Sequence, residues 1–228
     1  MKAGTLMADN VLPNGLIRGD DGIARPPWTY RTEIEKDYFD NEWGRHVITE
    51  SGLLERITLE GFQSGLSWSL VLNKRPAFRD AFHMFDPTRI VAMPKERREA
   101  ALADERLIRN PQKHAALYDN AQAAIDLRDD PEAQALPEGH PARKVLGGAA
   151  DRLAPGLPVL VWSFTPEHHE RPRDQDKIPR ISDESIAMAK ALKDRGFRFV
   201  GPTTCYATMQ AIGMVNDRVV QPEGDGET

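Results

Sequence analysis

The run Leu107-Ile-Arg-Asn-Pro-Gln-Lys113 decides the fold class. An asparagine side chain can accept one of the orphan N–H groups at a helix start, and a proline at the first helical position loses nothing by lacking its own N–H. Asn110-Pro111 therefore predicts a helix start, with the helix itself over 112–128. The device recurs at Asp86-Pro87, and Met93-Pro94 opens a further helix with Lys95-Glu-Arg-Arg-Glu99 behind it. Ser182, followed by Asp183 and Glu184, predicts a helix that buries Ile186, Ala189 and Leu192 and stops at Arg195-Gly196. Gly201-Pro202 predicts a last helix with Cys205, Met209 and Ile212 at core spacing. Strand-type alternation is nearly absent, and Phe197 to Val200 is its best and very short candidate. The expectation is an all-α globule with a cleft.

The 228 residues suffice for one domain with a real core, and 40% of them are hydrophobic. Residues 1–24 and 221–228 read as polar tails flanking a domain over 25–220, and 129–158, rich in Pro, Gly, Ala and Asp, reads as a long loop or insertion. A single cysteine excludes a disulfide scaffold and a four-cysteine zinc module. No apolar run approaches the roughly 20 residues needed to cross a bilayer. A monomeric protein of the reducing cytoplasm, without contact with membrane, is expected. The net charge is −5, yet Lys74 to Lys113 holds ten basic residues against six acids. Such a local excess can bind phosphates although the whole chain is acidic; a solvated helix face of mixed charge has the same pattern.

Chemistry concentrates in Leu59-Glu-Gly-Phe-Gln-Ser-Gly-Leu-Ser-Trp68. Glu60 follows the amphipathic run Leu53, Leu54, Ile57 and precedes two glycines that break it, Gly61 and Gly65. A carboxylate among apolar neighbours at a glycine-relieved turn suits a pocket, although a helix-end surface acid has the same signature. Upstream, Tyr38-Phe-Asp-Asn-Glu-Trp-Gly44 sets aromatics among acids. Aromatic faces beside carboxylates bind flat cations, and they are also ordinary core. At 107–113 the helix start would aim free N–H groups at an anion, with Arg109 and Lys113 alongside, or form a plain interhelical turn. His168-His169 reads as a solvated loop, Cys205 and Trp162 as core, and Asp217 as a cap or an arginine partner without a catalytic role.

Eight segments in order resemble the bacterial 3-methyladenine DNA glycosylase I family of the helix-hairpin-helix superfamily, over about Arg25 to Val220. They are Asp40-Asn-Glu-Trp-Gly44, the 59–68 run, Leu72-Asn-Lys-Arg75, Phe85-Asp-Pro87, Leu107-Ile-Arg-Asn110, Val161-Trp-Ser-Phe164, Arg195-Gly-Phe-Arg-Phe-Val-Gly-Pro-Thr-Thr-Cys-Tyr206 and Met209-Gln-Ala-Ile-Gly-Met-Val-Asn-Asp217. The resemblance implies a helix-hairpin-helix glycosylase fold and hydrolysis of the N-glycosidic bond of 3-methyladenine in alkylated double-stranded DNA. Glu60 and Tyr38 match the family's catalytic positions. Glu60, Tyr38 and Trp68 match its base-recognition residues, and Trp43 matches a further wall. Leu66 matches a residue that fills the gap left by a flipped base, and Gln63, Arg109, Asn110 and Lys113 are implied to contact DNA. No cofactor is implied by the residues present. Two alternatives stay open: a binder of alkylated DNA or free base without turnover, and a glycosylase of altered lesion preference.

One departure stands out. The family ties its termini with a zinc ion held by two cysteines and two histidines. The matching positions here are Pro26, Phe39, Arg218 and, at or near it, Pro222, and none is a ligand for such a site. The expectation is a chain without zinc, in which packing of Phe39 and Trp28 replaces the metal link.

Overall fold

A computed structural model describes residues 10–147 and 149–220. Ten α-helices are present among them: α1 (Glu33–Asn41), α2 (Glu50–Gln63), α3 (Trp68–Ala81), α4 (Pro87–Val91), α5 (Lys95–Ala103), α6 (Pro111–Asp126), α7 (Pro141–Val145), α8 (Leu157–Trp162), α9 (Asp183–Asp194) and α10 (Pro202–Ala211). The only sheet in the described region pairs β1 (Ile17–Arg18) antiparallel with β2 (Ala24–Arg25).

Most of the helices start at a side-chain cap, and α5, α8 and α10 start without one. Thr32, Thr49, Ser67, Asp86 and Asn110 accept backbone N–H groups of the first turns of α1, α2, α3, α4 and α6. Ser182 and Ser185 cap α9 reciprocally. α2 is the central element and packs against α10, α6, α3 and α8. Its Leu53, Leu54 and Ile57 are buried as their spacing predicts, together with Trp162, Phe78, Phe82 and Phe85.

Four sequence expectations change. Phe197 to Val200 is not a strand: Phe199 has φ +57°, and the Asn120 side chain holds both backbone groups of Arg198, at 2.7 and 3.1 Å. The buried face of α9 is Ser185, Met188, Ala189 and Leu192, which leaves Ile186 exposed. Residues 129–158 are not one long loop but carry α7, the start of α8 and short 3₁₀ turns, at Pro131–Ala133 for example. Part of the stretch read as a polar N-terminal tail is folded: Leu16, Ile17 and Ala24 are buried, and Leu16 and Ala24 form a small second core with Val219. Residues 1–9 and 221–228, including Pro222, lie outside the described residues.

Candidate functional site

A glycine-bent link between α2 and α3 builds the site. Gly65, at φ +76°, turns the chain so that the end of α2 brings Glu60 and Gln63, and the start of α3 brings Trp68, to one cavity. The last turn of α1 adds Tyr38, and Trp43 follows just beyond it. Across the cavity lie Thr203, Tyr206 and Gln210 of α10, then Asp217, and finally the segment Gln175 to Arg180. The enclosed volume is about 500 Å³, within the range of small-molecule sites.

Tyr38 and Trp68 meet edge to face with ring centroids 5.3 Å apart, and both are buried. The Tyr38 hydroxyl is buried without a hydrogen-bond partner. Burial, and then the charge of Glu60, raise its phenol far above the ordinary value, so it stays protonated and can donate. Glu60 has no hydrogen-bond or ion-pair partner among the described residues. Burial pushes its carboxyl up to about 7, against the opposing pull of Arg56. A carboxylate held near neutrality and a hydroxyl without a partner, in an aromatic cavity, are groups left free for a ligand.

Behind this wall lies an ionic lattice. Glu42 accepts from Arg56 at 2.8 Å and from Arg75 at 2.9 Å, while Glu55 takes Arg75 and Arg79. Burial would raise the Glu42 carboxyl, but the guanidinium groups of Arg75 and Arg56 hold it down at about 2. The Arg56 guanidinium carbon also sits 5.6 Å from the centre of the Tyr38 ring. The lattice fixes α1 against α2 and α3 and so positions Tyr38 opposite Glu60.

The expected site residues divide in two. Tyr38, Trp43, Glu60, Gln63 and Trp68 line one cavity, whereas Leu66, half-buried on the turn between α2 and α3, is not among its lining residues and packs against the core. Arg109, Asn110 and Lys113 are not among the residues that line it and sit at the turn between α5 and α6 and the start of α6. Arg109 is exposed beside Glu105, and the Asn110 side chain caps α6. Lys113 does not fit a phosphate contact. It is buried, and its Nζ donates to the carbonyls of Phe62 at 2.6 Å and Ser64 at 2.7 Å, capping the C-terminal end of α2. The same positive charge read from sequence as facing DNA thus holds the cavity turn in place.

The sequence reading named Asp217 as a cap or an arginine partner without finding the partners it has. Asp217 is fully buried and sits 3.0 Å from His169 Nε2, accepting also from Tyr206 Oη at 2.8 Å and Gln210 Nε2 at 2.7 Å. His168 and His169 lie in an exposed loop as expected, and the Asp217 carboxylate beside His169 raises its pKa. The partner of Asp217 is this histidine, not an arginine. Cys205 is a buried core thiol pushed up to about 12 by burial, and the indole of fully buried Trp162 donates to Val47 O at 3.0 Å, so both are core as expected.

The positions that would hold a zinc ion do not fit one. The Arg218 guanidinium carbon lies 4.1 Å from the centre of the Phe39 ring, and Arg218 donates to the carbonyls of Phe39 and Trp43. Phe39 stacks on Trp43 at 5.4 Å and meets Trp28 edge-on at 5.6 Å. A guanidinium cation thus already sits against the positions 39 and 43. Among the described residues no group of three or more His, Cys, Asp or Glu is arranged to hold a metal.

A model of the methyladenine glycosylase family matches residues 28–136 and 150–223. The chain belongs to that family. DNA-3-methyladenine glycosylase 1 of Escherichia coli (strain K12) is 38% identical over 202 residues, covering 87% of this chain and 95% of the relative. DNA-3-methyladenine glycosylase of Haemophilus influenzae is 36% identical over 199 residues, covering 86% and 95%. A crystal structure of a 3-methyladenine DNA glycosylase I superposes with a TM-score of 0.68 at 37% identity, covering 85% of this chain and 95% of that one. The methyladenine glycosylase match begins at Trp28, so β1 and β2 lie before it.

Proposed function

We propose that this chain is a DNA repair hydrolase that releases 3-methyladenine from alkylated double-stranded DNA and leaves an abasic site. The observation that carries the reading is Glu60: a carboxyl raised to about 7, without a polar partner, at an aromatic cavity with ample room for a base. Methylation at N3 puts a positive charge on the base in DNA. The C1′–N9 bond breaks with its electron pair going to N9, which neutralises the base. Water adds its oxygen to C1′ and loses a proton to solvent.

Recognition does most of the work, because the leaving group is already activated. Ionised Glu60 complements the cationic ring and accepts from its amino group, while Tyr38 Oη supplies a donor. Trp68 and Trp43 cover the flat faces. Extruding the base costs a few kcal/mol, least for a damaged one. Leu66, on the Gly65 turn, fills the vacated stack. Arg109 and the Asn110 helix start grip the phosphate backbone without reading sequence, in the manner of a helix-hairpin-helix unit. Gln63 serves at the cavity mouth. The protein acts as a monomer in the cytoplasm. No described helix is long and apolar enough to cross a membrane.

The test is release of free base from methylated duplex DNA, resolved by chromatography. Release of 3-methyladenine by catalytic amounts of protein supports the proposal. Tight binding of the methylated DNA without release would identify a binder, and release of another methylated base alone would identify an altered lesion preference.

A further inference from the structure

The cavity has two walls that share no secondary-structure element: α1, which carries Tyr38, and the segment Gln175 to Arg180. The N-terminal hairpin touches both. On one side Arg25 of β2, itself buried, donates from Nε and Nη2 to the two oxygens of Asp40, at 2.7 and 2.9 Å, two residues after Tyr38. On the other side the Gln175 N–H donates to Asn14 O at 2.9 Å, and Ile178 packs on the small core of Leu16, Ala24 and Val219. The contact at Gly15 is tight. Gly15 has φ +79°, and a Cβ there would lie 2.9 Å from Gln175 Cβ.

We propose that residues 11–25 are a brace that sets the width of the base cavity, with Gly15 as a positioning residue acting through Gln175. None of these residues lies within the family match, so this wall is held by a part of the chain outside it. The proposal rests on the reading of the cavity as the base site. A brace fixed at both ends makes the cavity rigid before the ligand arrives, so affinity is not spent on ordering the wall.

The test compares Gly15→Ala with Gly22→Ala in the full chain. Both glycines have positive φ, +79° and +77°, so alanine strains the backbone alike. At Gly22, however, the new methyl meets nothing within 4 Å. Three readings are taken: the affinity for free 3-methyladenine, kcat and KM on methylated duplex DNA, and amide hydrogen exchange over residues 172–181. Gly15→Ala should weaken free-base affinity about tenfold and raise KM by a similar factor, with kcat within about twofold, since a wall that contacts the base throughout the reaction contributes uniform binding. It should also speed exchange over 172–181. Gly22→Ala should keep affinity and KM within about twofold of the unaltered protein. Equal losses in both variants, or unchanged affinity in Gly15→Ala despite faster exchange, would overturn the brace. If the unaltered protein released no base, the functional reading would fall by itself, and the exchange and free-base arms would still decide the brace.

Discussion

Replacing Glu60 by glutamine separates what the carboxylate does for the reaction from what it costs the fold. Burial raises its carboxyl from 4.5 to about 7 in the folded protein. At about 1.36 kcal/mol per unit, burying the ionised form opposes folding by about 3 kcal/mol. That cost is absent well below pH 4.5, where the group is protonated in both states. It grows as pH climbs from 4.5 to 7 and keeps its full size above. Glu60→Gln should therefore stabilise the ligand-free protein by about 3 kcal/mol at pH 8.5 and by half of that or less at pH 5.5. The effect on activity has the opposite sign. Two unit charges about 4 Å apart at an effective dielectric of about 20 attract by about 4 kcal/mol, and even half of that is worth about 30-fold in binding a cationic base. Excision by the unaltered protein should rise with pH through about 7 as Glu60 ionises, and that rise should vanish in the variant. Denaturant unfolding at the two pH values, paired with base release over the same range, reads both effects. A variant less stable than the parent at pH 8.5, or one that keeps full excision activity, would refute the reasoning.

Lys113→Ala leaves the carbonyls of Phe62 and Ser64 without their donor and should cost about 1–3 kcal/mol of stability, read by urea unfolding, while the salt dependence of DNA binding stays the same. Arg109→Ala should leave stability unchanged and lower the slope of log K against log salt by about one. Chelator should leave the melting temperature unchanged, whereas Arg218→Ala, which removes two hydrogen bonds and a stacked cation, should cost about 2–3 kcal/mol in unfolding experiments. The His169–Asp217 pair stabilises the fold most below pH 6.5, and its contribution fades as pH rises through the raised folded value of His169. Asp217→Asn should thus lower the melting temperature more at pH 6 than at pH 9.

What the sequence made legible follows from what is local. Caps at Asp86, Asn110 and Ser182 depend on a few neighbouring residues, so helix starts could be read directly. The convergence of Tyr38, Glu60 and Trp68 came from the resemblance, since nothing in their spacing brings α1 onto α2. Charge alone could not separate Lys113 from Arg109, four residues apart. One reaches under the end of α2 and the other faces solvent, a difference made by the path of α5 and α6. The hairpin was hidden because its strands are two residues long and its polar turns look like a tail. Its burial comes from Val219 and Ile178, far along the chain. Asp217 was equally silent, because its partner lies in a loop whose course no periodicity reveals.

The clamp of Arg218 on Phe39 spans 179 residues, and the bond from Asn14 to Val220 spans 206. A chain growing from the ribosome can form α1 to α6 long before either contact exists. Its early core would then lack the side chains of α8, α9 and α10, and the base cavity would still lack α10, Asp217 and one wall. A nascent or C-terminally truncated chain should thus show helical circular dichroism without competence to bind a base. Tyr38, Glu60 and Trp68 come early in the chain, but the wall that faces them across the cavity arrives only with α10 and Asp217, so the closed base site is the last part of the molecule to exist.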